Sequence, residues 1–144
     1  MSMRNVYEIL NEFKNTADRN TKINLLRHYA QTDPVLKDVL FGAFHPFMNF
    51  VIKDLPKYKT PDCPPGMAYS HMSHAISKSY LFIENHPRAP AGLTMARRIQ
   101  LLQQLLESLE EKEAEVYGNM LLKDLKVEGL TKEIVDEAFP GIFA

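Results

Sequence analysis

Apolar positions recur along most of this chain at helical spacing. Val6, Ile9, Leu10 and Phe13 fall at i, i+3, i+4 and i+7, the stripe of a one-faced helix. A polar break from Asn15 to Asn20 precedes a second helix with Ile23, Leu26 and Tyr29 inward, and Asn20 or Thr21 is its expected N-cap. Asp33-Pro34 is a start signal, because the aspartate can cap and a proline at the first helical position has no hydrogen bond to lose. The helix that follows is predicted to bury Leu36, Val39, Leu40 and Ala43. A short helix from Pro46 to Lys53, carrying Phe47, Phe50 and Val51, is expected to stop before Pro56.

Residues 56–66, PKYKTPDCPPG, hold four prolines and a glycine and read as a loop of restricted backbone freedom. A helix from Ala68 to Glu84 follows, and HPRAPAG at 86–92 is a second break. Thr94 then caps a long helix in which Ile99, Leu102, Leu105, Leu106 and Leu109 form one apolar stripe. Its continuation, ESLEEKEAEVYGNMLLKDL, is either the same helix or a second one after a kink near residue 110. A last helix runs from Thr131 to Ala138. Val, Ile and Thr never alternate over a strand-length run, so no sheet is expected. The fold class is therefore all-α: a single domain over residues 1–144, with about seven or eight helices around one core.

Composition fits an ordinary globular chain, with 45% hydrophobic and 24% charged residues. No apolar run approaches the roughly 20 residues of a membrane-spanning helix, and the opening MSMRNVYEIL lacks the layout of a signal peptide. A lone cysteine, Cys63, excludes an internal disulfide framework. A cytoplasmic protein is the expectation. Net charge is −1, whereas chains that grip nucleic acid unaided usually carry a clear basic excess. Residues 1–60 hold nine basic and six acidic side chains and residues 61–144 eight and twelve, so any DNA binding should be weak, localised or dependent on a partner.

The closing stretch, MLLKDLKVEGLTKEIVDEAFPGIF, is the most specific part of the chain. It joins an apolar helix end, a Lys123-Asp124 step, a glycine turn, a new helix and an aromatic-Pro-Gly end. Gly129 supplies a tight turn and Thr131 starts a helix, whose free N–H groups and positive dipole end suit phosphate; Lys123, Lys126 and Lys132 add charge around it. Together with VYEILNEF and AQTDPVLKDVLFGAFHPFMNFVIKDLPKYK, in that order, this segment resembles the N-terminal helical DNA-binding domain of phage-type ATP-dependent DNA ligases. The matching positions are Lys123, Asp124, Leu125, Val127, Gly129, Thr131, Phe139, Pro140 and Gly141. The resemblance implies a helical clamp that lies against the minor groove and contacts backbone and shape more than base identity.

Glu128 is an extra residue between Val127 and Gly129, and from Met120 onward three basic residues face five acidic ones. No Lys-x-Asp-Gly adenylation motif occurs, so nick sealing is not expected, and what the resemblance implies is a non-enzymatic phage accessory protein with no catalytic residue, metal or cofactor. Lys57 and Lys59, interleaved with Tyr58, and Arg97 at the start of the long helix are further candidate contacts to DNA. His71 and His74 with Cys63 and Asp62 lack the paired spacing of a zinc site and read as ordinary polar residues. The acidic run Glu107, Glu110, Glu111, Glu113 and Glu115 reads as the wet face of a helix, or as a surface for a basic partner. Two function classes lead, with an enzyme built on His71, His74 and Cys63 as a third. One is weak, sequence-independent binding of duplex DNA; the other is a protein-interaction module that keeps the fold without DNA.

Overall fold

A computed structural model describes residues 6–46, 48, 50–60, 71–83 and 86–143. Among these, seven α-helices follow one another: α1 Val6–Lys14, α2 Arg19–Ala30, α3 Pro34–Phe44, α4 Met72–Ser77, α5 Met95–Glu107, α6 Glu111–Leu121 and α7 Lys132–Ala138. A 3-10 turn, Ser79–Phe82, follows α4, and the described residues contain no strand, only an isolated antiparallel bridge between Phe50 and Ile83. The protein is all-α.

Buried apolar side chains from all seven helices fall into one cluster, with Phe13, Leu26, Leu40, Leu106 and Tyr117 deepest. Helix α6 is its axis. It packs against α1, α3, α4 and α5, while α7 lies on α2. Close approach of α3 and α6 needs Gly42, where a Cβ would stand 2.8 Å from Met120 Sδ. Tyr117 is enclosed, and its hydroxyl pairs with Ser79 Oγ at 2.9 Å. Burial pushes that hydroxyl well above the ordinary tyrosine range.

Several boundaries differ from expectation, each for a local reason. The N-cap of α2 is Asp18, whose carboxylate accepts the Thr21 N–H at 3.0 Å, not Asn20 or Thr21. The expected helix from Pro46 to Lys53 does not form in its described residues. There the Val51 N–H donates to Phe82 O (2.8 Å) and so makes no helical bond, while the His45 and Met48 carbonyls accept a side-chain donor from elsewhere. Phe47 lies outside the described residues. The expected helix from Ala68 to Glu84 is represented by the short α4 and the 3-10 turn, with Ile83 taken by the bridge to Phe50; positions 68–70 and 84 lie outside the description. The long acidic stretch is a second helix, α6, set off from α5 at residues 108–110. Ile99, expected in the core stripe, is 37% exposed. Helix α5 overhangs the core at its N-terminal end, so the stripe begins to bury only at Leu102.

Candidate nucleic-acid interface

The segment joining α6 to α7 is built from three turns, each with a residue of positive φ. At the end of α6 the Lys123 N–H donates to Met120 O and the Asp124 N–H to Asn119 O, both 3.0 Å, which closes a Schellman motif with Lys123 (φ 62°) in the left-handed position usually held by glycine. The Asp124 carboxylate then accepts the Lys126 N–H at 3.0 Å, and Lys126 is also left-handed, at φ 57°. A four-residue turn, Val127 to Leu130, closes with Leu130 N–H on Val127 O (3.2 Å) and requires Gly129 at φ 83°. Glu128 is an exposed corner of this turn.

Lys123 does not project its charge outward. Its ammonium donates to the carbonyls of Gly42 (2.9 Å), His45 (2.7 Å) and Met48 (2.8 Å). The Gly42 and His45 oxygens mark the C-terminal end of α3, where a cation also suits the helix dipole. Burial pushes the ammonium below the ordinary lysine value. A non-glycine residue in the left-handed region costs roughly 1–2 kcal/mol, and these three charge-assisted bonds offset it.

Lys126 and Lys132 are exposed, Gly129 forms the turn, and Thr131 caps α7 by accepting the Ile134 N–H at 3.3 Å. That first-turn donor is therefore satisfied within the chain, and α7 has only seven residues. Lys132 Nζ lies 5.7 Å over the Phe143 ring. The structure adds a cation that the sequence reading missed: Lys22 Nζ, from α2, is 2.8 Å from where a Cβ on residue 129 would sit. Its position follows from the docking of α7 on α2. Arg27 donates to Ala138 O (2.9 Å) and Glu137 O (2.7 Å), and Arg19 pairs with Glu137. The Glu137 carboxyl is held below its ordinary value by its hydrogen bond to Arg19. The Phe139-Pro140-Gly141 end forms a further turn, Ile142 N–H to Phe139 O at 3.0 Å with Gly141 at φ 86°, which lays Phe143 beside Phe41 and His45.

The other candidates lie apart from this turn. Lys57 and Lys59 are exposed, but their loop runs beside the acidic helix ends: the Lys59 N–H donates to Glu107 Oε2 at 3.1 Å. Burial first, then Glu115 and Glu111, push the Tyr58 hydroxyl up. Arg97 sits in the first turn of α5, its guanidinium 3.3 Å from Gln100 Oε1, on a helix that packs against α6. His71, the N-cap of α4, and His74 within it are exposed, and no group of three His, Cys, Asp or Glu among the described residues is arranged to hold a metal. Cys63 and Asp62 lie outside the described residues. No described helix is long and apolar enough to cross a membrane. Compared with known proteins, the chain matches no protein-family model and no curated protein sequence.

Proposed function

We propose that the protein is a non-enzymatic module that binds duplex DNA weakly and without base specificity, through the turn between α6 and α7. The observation that carries this reading is the approach of Lys22 to Gly129, which adds a cation from α2 to a turn that already exposes Lys126 and Lys132. No carboxylate pairs with any of these three ammonium groups among the described residues. Glycine at the apex keeps the backbone low, so a sugar-phosphate chain can approach. The resemblance of the closing segment to the ligase clamp supports the same reading. Exposed Glu128 and Glu133 beside the lysines keep the affinity low.

Binding through phosphates releases counterions, so affinity should fall linearly with the logarithm of salt concentration. A fluorescence titration of a labelled duplex at low salt should show saturable binding. Lys22→Ala and Lys132→Ala should each lower the salt slope by about 1. Wild type that binds no duplex even at low salt would overturn the reading.

A second reading, a protein-interaction module that keeps the fold, is favoured by a different observation. Met95 and Ile99 continue the core stripe of α5 and yet are 45% and 37% exposed. Partner capture that is lost in Met95→Ser/Ile99→Ser and kept in Lys22→Ala would support it. Recovery of nucleic acid alone would count against it.

A further inference from the structure

The chain folds a fourth lysine to the edge of the same turn. Beyond α3 the Phe50–Ile83 bridge and the Val51–Phe82 hydrogen bond fix the backbone, Ile52 is buried, and Lys53 is left exposed at a lip. Across that lip opens a cleft of about 250 Å³. Its apolar wall includes Ile52 and Leu121, and its charged groups are Lys53, Lys123, Asp124 and Lys126. Lys53 and Lys126 bring two exposed ammonium groups against one carboxylate, and the Lys123 ammonium lies inward on the carbonyls of Gly42, His45 and Met48. The carboxylate is turned to the Lys126 N–H, and neither Lys53 nor Lys126 has an ion-pair partner among the described residues. Lys123 is fixed by its three carbonyls and has no carboxylate partner among the described residues. A larger groove of about 720 Å³ on the other side of Lys126 is balanced, with Glu8, Glu12 and Glu115 against Lys14, Lys112 and Lys126. It has no preference for anions. A recess with low-dielectric walls and unpaired charge of one sign concentrates the opposite charge.

We infer that the smaller cleft is an anion subsite that takes one phosphodiester group of a DNA backbone, with Lys53 and Lys126 as its direct ligands and Lys123 as a fixed charge behind them. The inference rests on the DNA reading above and extends the contact from the turn to the segment after α3. It is tested on the full chain with a labelled duplex across a salt series, comparing Lys53→Ala, Lys53→Arg, Lys126→Asn and the Lys53→Ala/Lys126→Asn double variant. Asparagine is chosen at 126 because it tolerates the left-handed backbone there. Lys53→Ala should weaken binding several-fold with an unchanged melting temperature, and Lys53→Arg should restore it. Because both lysines serve one phosphate, the double variant should lose about 1 in salt slope, not 2. Wild-type affinity in Lys53→Ala, or a slope loss near 2 in the double variant, overturns the subsite while the DNA reading stands. Absence of duplex binding by the wild type overturns both.

Discussion

Lys123 and Lys126 lie three positions apart, share a left-handed backbone and have opposite roles. One ammonium is enclosed by three carbonyls and the other is in water. Lys123→Met keeps most of the side-chain volume and removes the donor. Because hydrogen bonds from a charged group are worth roughly 1.5–3 kcal/mol, this change should lower stability by about that amount in urea denaturation. Lys126→Asn should leave the midpoint where it is. A Lys123→Met protein as stable as wild type would contradict the inward role. At Gly129 the backbone sets the limit: alanine at φ 83° should cost about 1–2 kcal/mol, and its methyl must displace the Lys22 ammonium. Gly129→Ala should therefore reduce both the unfolding midpoint and low-salt DNA affinity.

Among the elements, α7 is held in place by its neighbours. Seven residues are far below the length at which a helix holds itself in water. Its N-terminus is capped by its own Thr131, but its last carbonyls are capped by Arg27 of α2. Arg27→Met should leave the bundle folded and selectively loosen α7. Hydrogen exchange should show faster exchange at the Val135, Ala138 and Phe139 amides, with those of α3 and α6 unchanged. Uniform protection across α7 would mean that apolar packing of Ile134 and Val135 suffices. Tertiary partners also act in the described residues of 46–53, which form no helix: the Val51 amide and the Met48 carbonyl bond to groups distant in sequence.

Across the whole molecule, two carboxylates are buried where helix starts converge, Asp33 before α3 and Glu113 in the first turn of α6. Burial raises the Glu113 carboxyl, nearby Glu110 and Asp33 raise it further, and His71 offsets part of this. Burial likewise raises Asp33, against a smaller effect of the Val35 amide. A raised folded-state value means that the native chain binds more protons than the unfolded chain between the ordinary and raised values. Stability therefore falls as pH rises through that window. Exposed Asp18 and Glu137, whose carboxyls are lowered by Thr21 and Arg19 respectively, act in the opposite direction and lose their contribution on acidification. Glu113→Gln should be more stable than wild type at neutral pH, with the difference closing below the ordinary glutamate value of 4.5. A melting-temperature difference that does not vary with pH would show that the burial of Glu113 carries no proton linkage.

Local pattern was enough to establish the helical class, the inward faces of α1, α2 and α3, the Thr94 cap, the existence of α7 and the Gly129 turn, whereas Thr131, expected as the first helical residue, is the N-cap. Each depends on spacing or backbone chemistry within a few residues, which is where sequence periodicity carries information. The partners of the lysines were decided only by the tertiary structure. A lysine reads the same in sequence whether its ammonium meets water, a helix end or a glycine turn. Lys123 is drawn inward because α3 ends beside α6, and Lys22 and Lys53 reach the turn because α2 and the segment after α3 pack around it. Ile99 departs from its stripe for a related reason: periodicity defines a face, but only packing determines how far along that face the core extends.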